Sequence, residues 1–82
     1  MITHDPTRGL FEDDTPHGPI YVSYAIRADD VLDITYSFVP PPLRGQHLAV
    51  PLVSHARDWA REQGMSVTAS CSYAARVLAN LP

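Results

Sequence analysis

The sequence predicts a small α/β (α+β) fold in which a mostly antiparallel sheet leads into a parallel β–α–β half and ends in a short helix. Three observations support this prediction. Apolar and polar residues alternate over residues 20–28, as they do in a half-buried strand. Apolar residues recur with helical spacing over residues 48–63. The connection between the strands on either side of that helix is long enough for those two strands to be parallel.

The N-terminal part of the chain predicts short strands joined by turns. Residues 1–9 are polar and turn-prone, and they either fray or add an edge strand through Ile2 and His4. Leu10 to Asp13 fits a brief strand, which the turn-forming residues 14–19 end, so we expect a hairpin tip there. The acidic residues 12–14 are expected to form a solvated loop rim, with attraction of a cationic amine as the alternative.

Two longer strands follow. In residues 20–28, the side chains of Ile20, Val22, Tyr24 and Ile26 share one face of a half-buried strand. Asp29-Asp30 predicts a tight turn, after which residues 31–39 form the next strand, antiparallel to the first.

The main helix is predicted over residues 48–63. Gly64 stands where a helix C-cap glycine is expected. Pro51 is tolerated only within the first turn, which requires the helix to begin at about His47. The stripe expected to face the core consists of Leu48, Leu52, Val53, Ala56, Trp59 and Ala60.

The C-terminal part predicts a strand and a helix. Residues 65–71 form a short strand parallel to the strand at 31–39, with the main helix as the crossover. A final short helix spans residues 73–80. Its inward-facing residues are expected to be Tyr73, Ala74, Val77 and Leu78.

Length and composition limit the organisation of the chain. Its 82 residues provide one core, so residues 1–82 are a single domain. Such a domain buries only about 60–65% of the surface of its unfolded chain, so a homodimer or stiffening by a ligand would be compatible with its size. The net charge of −3 is uneven, because residues 1–36 carry two arginines and seven acids while residues 37–82 carry four arginines and two acids.

The composition also argues against several classes of protein. The chain has no basic run of the kind that nucleic-acid binders show. It has neither an apolar run near the ~20 residues of a membrane span nor a signal-peptide pattern, so we expect a cytoplasmic protein without a membrane partner. The single cysteine, Cys71, excludes an intramolecular disulfide and a multi-cysteine zinc site. His4, His17 and His55 share no metal-site spacing with acidic residues and are expected on the solvated surface.

The segment from Val39 to Ala49 is the most informative part of the sequence. Three prolines stiffen it between a strand and a helix, and an Arg-Gly pair follows them. At the start of a helix, backbone N–H groups point outward without partners, and the helix dipole is positive there. The N–H groups around Gly45 to Ala49 are therefore predicted to form an anion site suited to a phosphate or pyrophosphate. The alternative is an ordinary strand-to-helix turn with a solvated arginine.

These residues resemble the coenzyme-A loop of the GNAT superfamily of N-acetyltransferases, and the layout is most similar to its small YjdJ-like single-domain branch. The resemblance is strong over residues 39–73 and covers most of the chain. It implies a minimal GNAT-like fold in which the two parallel strands splay apart to admit the pantetheine arm. The segments that carry it are Val39-Pro40, Leu43-Arg44-Gly45-Gln46, Leu48-Ala49 and Ser70-Cys71-Ser72-Tyr73.

The resemblance implies an acetyl-CoA-dependent transfer of an acetyl group to an amine. The acceptor would be an amine-bearing small molecule, a protein N-terminus or a lysine. Backbone groups of Phe38 and Val39 would hold the pantetheine of coenzyme A. His47 stands where a second glycine is usual. The helix is expected to start there, since a histidine can adopt helical dihedrals, and the imidazole would either crowd the pyrophosphate or, when protonated, donate to it. The pyrophosphate would be held by Arg44, Gly45, Gln46, His47, Leu48 and Ala49.

Cys71, Tyr36 and Tyr73 are the candidate catalytic residues that the resemblance implies. Cys71 would accept the acetyl group as a thiolate, or else it is a small packing residue and the amine attacks the thioester directly. Tyr36 stands where a histidine is common and could donate a proton to a leaving thiolate. Tyr73 would flank the acyl group, and packing is the alternative for both tyrosines. Because His47 and Tyr36 depart from the pattern, a catalytically inactive acyl-CoA-binding or protein-interaction module is the alternative function.

Overall fold

The computed structural model describes residues 1–28 and 30–82 and has the predicted fold class. Within these ranges, five strands form one sheet in the order β1-β2-β3-β4-β5, in which every neighbouring pair is antiparallel except β4 and β5, which are parallel. The elements are β1 (Ile2–Asp5), β2 (Leu10–Asp13), β3 (Ile20–Arg27), β4 (Val31–Phe38), α1 (Val50–Glu62), β5 (Ser66–Ala69) and α2 (Ser72–Asn80), with a 3₁₀ turn at Pro41–Leu43.

A hydrophobic core lies between the sheet and the helices α1 and α2, which also contact one another. The predicted stripe of α1 faces this core, and the small side chains of Ala56, Ala60 and Ala74 let the helices pack closely on the sheet. No helix in the ranges described is long and apolar enough to cross a membrane. The buried hydrophobic residues are Phe11, Ile20, Val22, Leu32, Ile34, Ala49, Leu52, Val53, Ala56, Ala60 and Ala74.

A β-bulge at Thr35 divides β4 into two parts. Ile34 pairs with Tyr24 and Tyr36 pairs with Ser23, so Thr35 has no partner in the register. The hydroxyl of Thr35 instead donates to the backbone carbonyl of Ser23. Because side chains alternate along a strand, the extra residue moves Tyr36 to the face opposite Ile34.

The parallel ladder between β4 and β5 is shorter than β4 itself. Its last pair is Ile34 and Ala69, and the N–H groups of Ser70 and Cys71 both donate to the carbonyl of Ile34. Strand β4 continues for four more residues, to Phe38. Along those residues, the edge of β4 facing β5 has no strand partner within the described chain. This splayed end of the sheet opens the cleft described below.

Helix α1 begins later than predicted and ends as predicted. It starts at Val50, so the expectation of a start at about His47 was wrong, although Pro51 still lies in the first turn. Gly64 has a φ of +76°, and the N–H of Met65 donates to the carbonyl of Ala60. That bond and the left-handed glycine form the expected C-cap.

Smaller differences concern the ends of the strands. Strand β4 stops at Phe38, β5 spans only Ser66–Ala69, and α2 starts one residue earlier than predicted. Ile26 is 45% exposed rather than half-buried, and it is the last residue but one of β3. The predicted turn at Asp29-Asp30 includes Asp29, which lies outside the described residues.

The N-terminal residues form strand β1, and two of the predictions made for this region were wrong. His4 is not a solvated side chain, because its ring stacks on Phe11 and lies 2.6 Å from the hydroxyl of Tyr24. Glu12 and Asp13 belong to β2 rather than to a loop rim. Arg8 donates to the Glu12 carboxylate, and the N-terminal amine donates to that of Asp13.

Candidate functional site

A cleft of about 370 Å³ opens where β4 extends beyond its pairing with β5. One wall is the end of β4, another is the loop that joins β4 to α1, and Tyr73 of α2 lies opposite. No acidic side chain lines this cleft in the part of the chain that the structure describes. Its lining consists of Tyr36, Ser37, Phe38, Val39, Leu43, Arg44, Gly45, His47, Leu48 and Tyr73.

The β4–α1 loop turns in two steps. In the first step, the 3₁₀ turn pairs the first amides that follow the prolines. The N–H of Leu43 donates to the carbonyl of Pro40, and the N–H of Arg44 donates to the carbonyl of Pro41. Gly45 and His47 then both take left-handed conformations, with φ of +85° and +59°. The expectation that His47 adopts helical dihedrals was therefore wrong. His47 instead takes the conformation that a glycine at this position would adopt most easily.

The backbone N–H groups that follow this turn find no acceptor within the described part of the chain. Among the residues that are described, none of the amides of residues 45–49 donates to a backbone or side-chain oxygen. A Cβ at Gly45 would meet no atom within 4 Å, so the glycine is needed for its backbone angles rather than for space. Unpaired N–H groups at the start of a helix favour an anion.

Arg44 is held against the end of β4. Its Nε donates to the carbonyl of Val39 at 2.9 Å, and its guanidinium carbon lies 5.9 Å from the centroid of the Phe38 ring. This geometry combines a hydrogen bond with a cation–π contact. The remaining guanidinium N–H groups are left at the rim of the cleft, where they add positive charge.

Cys71 is the N-cap residue of α2 and lies across the splay from β4. Its Sγ is 3.4 Å from the Oγ of Ser37. Burial raises the pKa of the thiol, but the Ser37 hydroxyl and nearby backbone N–H groups, among them those of Ala74 and Tyr73, outweigh it, so the net pKa is below the ordinary value. The amides act at longer range, because no cap hydrogen bond to this side chain forms within the described structure.

Asp33 fixes the turn that carries Cys71, and the sequence reading missed it. It is 2% exposed, and its carboxylate accepts hydrogen bonds from the N–H and Oγ of Ser70 and from the Nε of Arg27. The bonds from Ser70 and Arg27 lower the pKa of Asp33. One signal was available in the sequence, namely a lone acid between the apolar residues Leu32 and Ile34 of a predicted strand.

The other candidate residues are distributed unequally around the cleft. Tyr36 is 51% exposed, on the opposite face of β4 from Ser37, and its ring lies 6.0 Å from that of Tyr21. Tyr73, Phe38, Val39 and Leu48 all line the cleft. Gln46 is exposed on the loop outside the lining, and Ala49 is fully buried in the core, where it has no surface to offer a ligand.

The comparison with known protein families matches residues 12–82 to the model for GCN5-related N-acetyltransferases. The chain belongs to that family. The match includes β3, β4, the loop and the Cys71 turn, which are the elements that form the cleft. Acetyltransferase activity is what this family and fold suggest for the chain.

A solved structure supports the same assignment. The chain is similar to the solution NMR structure of a GCN5-like candidate N-acetyltransferase from Staphylococcus aureus, with a TM-score of 0.74 and 25% sequence identity. The similarity covers 96% of this chain and 78% of the other. The search of curated proteins found no match. Within residues 1–28 and 30–82, no group of three or more His, Cys, Asp or Glu side chains could hold a metal ion.

Proposed function

We propose that this protein is an acetyl-CoA-dependent N-acetyltransferase that transfers an acetyl group to an amine. The observation that supports this most directly is the row of amides in the β4–α1 loop that have no acceptor among the described residues. These amides lie at the mouth of a cleft whose described lining contains no acidic side chain. A diphosphate is an anion that such amides bind, because each N–H can donate to a phosphate oxygen near the positive end of the α1 dipole.

The proposed binding mode divides the coenzyme between two surfaces. The amides of residues 45–48 and the side chain of Arg44 would hold the diphosphate. The unpaired edge of β4, at Phe38 and Val39, would hold the amide groups of pantetheine, much as an added strand would. Buried Ala49 is left out of this set because its surface is covered by the core.

Two routes of transfer are compatible with the residues that surround the acyl position. In the direct route, the amine nitrogen attacks the thioester carbonyl, a C–N bond forms as the C–S bond breaks, and the amine proton leaves with the thiolate of coenzyme A. In the covalent route, the Cys71 thiolate attacks the thioester carbonyl, so that an Sγ–C bond forms as the C–S bond breaks and coenzyme A leaves as a thiolate. The amine then displaces Sγ to form the C–N bond, which regenerates the Cys71 thiolate, and the amine proton goes to the coenzyme A thiolate. The lowered pKa of Cys71 supports the second route. Tyr36 or Tyr73 would relay the amine proton, because its phenol would donate to the leaving thiolate and regain a proton from the amine.

A catalytically inactive acyl-CoA-binding module is the second candidate. It is favoured by the absence of a carboxylate from the cleft lining among the described residues, and by Tyr36 lying on the opposite face of β4 from Ser37. Such a protein would bind acetyl-CoA without turning it over. Turnover, not affinity, separates the two candidates.

Calorimetric titration with acetyl-CoA tests the proposal. We expect measurable heat and a rise in melting temperature, since a ligand at a hundred times its dissociation constant stabilises the folded state by about 2.7 kcal/mol. The absence of both at millimolar ligand would remove the coenzyme assignment. A panel of small amines and N-terminal peptides, assayed by release of free coenzyme A, then tests for transfer.

The variants Cys71→Ala and Tyr36→Phe distinguish the routes once binding is found. If Cys71 carries the acetyl group, we expect Cys71→Ala to abolish turnover and leave the affinity for acetyl-CoA little changed. If Tyr36 donates the proton, we expect Tyr36→Phe to lower kcat by about 100-fold or more. Unchanged turnover in the cysteine variant would exclude the covalent route and leave direct attack.

A further inference from the structure

A second cleft adjoins the first at His47 and Tyr73, which line both. It has a volume of about 460 Å³ and lies between the start of α1 and one stripe of α2. The two clefts therefore form one continuous groove that passes the β4–α1 loop. The lining of the second cleft consists of His47, Val50, Tyr73, Arg76, Val77, Asn80 and Leu81.

Arg76 is the charged group of this second cleft. Tyr73, Arg76, Val77 and Asn80 follow the spacing i, i+3, i+4 and i+7, which places them on one face of α2. Arg76 is exposed, and among the described residues no carboxylate lies within ion-pair distance of it. The Nδ2 of Asn80 donates to the backbone carbonyl of Arg76, which fixes this turn of the helix.

The composition of the second cleft suits one end of a nucleotide. Val50, Val77 and Leu81 offer an apolar surface for a flat base, and the planar guanidinium of Arg76 can bind two phosphate oxygens at once. In the described residues no acidic side chain lines this cleft either, so nothing there repels a dianion. Coenzyme A carries such a dianion as the 3′-phosphate of its adenosine.

We propose that the second cleft binds the 3′-phosphorylated adenosine of coenzyme A and that Arg76 recognises the 3′-phosphate. The inference rests on the proposed function, because it needs the diphosphate at residues 45–48. From that position the adenosine continues along the groove, and the second cleft begins at His47 of the same loop. Arg76 then sets the preference for coenzyme A over its dephosphorylated form.

The test compares acetyl-CoA with acetyl-dephospho-CoA, which lacks only the 3′-phosphate, by calorimetric titration at low and physiological salt. We expect the wild-type protein to bind acetyl-CoA about tenfold more tightly, as for a partly exposed charge-assisted hydrogen bond. In Arg76→Gln that preference disappears, because the affinity for acetyl-CoA falls about tenfold and that for the dephosphorylated ligand does not change. Arg61→Gln serves as the control, since Arg61 is an exposed arginine that lines a different cleft, and it should keep the preference.

The outcomes separate this inference from the one on which it rests. Equal affinities for the two ligands in the wild type, or an unchanged preference in Arg76→Gln, would overturn the 3′-phosphate site and leave acetyl-CoA binding intact. If Arg61→Gln also lost the preference for acetyl-CoA, that preference would reflect general charge attraction, and the 3′-phosphate site at Arg76 would again be overturned. Failure of the wild type to bind either ligand would overturn both proposals.

Discussion

The thiol of Cys71 lies where three local effects meet. Its sulfur is at the N-cap of α2, partly buried, and 3.4 Å from the Ser37 hydroxyl. Burial acts against the thiolate, whereas the hydroxyl and the nearby amides favour it, and the balance lowers the pKa. Ser37 reaches this position only because the bulge at Thr35 places it on the same face as Ile34, although the two are an odd number of residues apart. One extra residue in β4 therefore affects the chemistry of a cysteine 36 positions further along the chain.

Ser37→Ala tests the contribution of the hydroxyl to that balance. The Ser37 hydroxyl lowers the pKa of Cys71, whereas burial raises it. Without the hydroxyl, we therefore expect the pKa of Cys71 to rise. The pH profile of alkylation by iodoacetamide measures this change, and its midpoint should shift upward. Ser72→Ala, at the exposed neighbour of Cys71, should leave the midpoint where it is. If the profile were the same in Ser37→Ala and the wild type, the Ser37 hydroxyl would not contribute to the lowered pKa of Cys71.

Among the elements, those with a strong periodic pattern were predictable from the sequence. The core-facing stripe of α1, its glycine C-cap and the parallel placement of β5 all follow from residue spacing and were confirmed. The bulge at Thr35 was not predictable, because a threonine in a strand carries no sign of an extra residue. The buried Asp33 was missed for a related reason, since Ser70, which donates two of its hydrogen bonds, lies 37 residues further along the chain. Tertiary pairing, and not local preference, determines both features.

The conformation of His47 in the β4–α1 loop also could not be predicted from its residue type. The residue stands where glycine was expected, and it takes a left-handed conformation that costs a non-glycine residue about 1–2 kcal/mol. The loop geometry is therefore retained without the residue type that adopts it most easily. An aromatic side chain then lines both clefts of the groove.

His47→Gly is expected to stabilise the fold. Relief of the left-handed strain exceeds the roughly 0.5–1 kcal/mol that the extra freedom of glycine costs in the unfolded chain, so the free energy of unfolding should rise by about 0.5–1 kcal/mol. Urea unfolding monitored through Trp59 measures it. The same change at His55, an exposed position inside α1, should lower stability because glycine disfavours a helix. A loss of stability in His47→Gly would show that its side chain contributes more than its backbone costs.

Across the whole molecule, the N-terminal strand is joined to the main helix by an aromatic cluster around His4. The imidazole stacks on Phe11 with ring centroids 4.1 Å apart, and it packs on Trp59 in a T-shaped arrangement with ring centroids 4.5 Å apart. Its Nε2 also forms a hydrogen bond with the Tyr24 hydroxyl. Strand β1 is at the edge of the sheet, so this cluster is what packs it onto α1. The groove and Cys71 belong to the opposite side of the sheet order, around β4 and β5. The molecule thus combines an N-terminal half that supports the sheet with a C-terminal half that forms the candidate site.

This arrangement makes the stability of the protein depend on pH through His4. Burial lowers the pKa of His4 below its ordinary 6.5, and the nearby Asp5 carboxylate opposes this only in part. Below pH 6.5 the unfolded chain therefore binds more protons than the folded one, so stability falls as the pH drops through 6.5 and levels off below the folded pKa. Tyr24 does not titrate in this range, because burial raises its pKa above 10. We expect the melting temperature to fall between pH 7.5 and pH 5.5 and the fall to be much smaller in His4→Gln.

The control for this experiment is His55→Gln. His55 lines the same cleft as His4, together with Asp58 and Glu62. It is exposed and lies outside the aromatic cluster, so its replacement should leave the pH dependence of the melting temperature intact. If His4→Gln kept the full pH dependence and His55→Gln removed it, the acid sensitivity would belong to the surface of α1. The contact between β1 and the helix would then have no part in it.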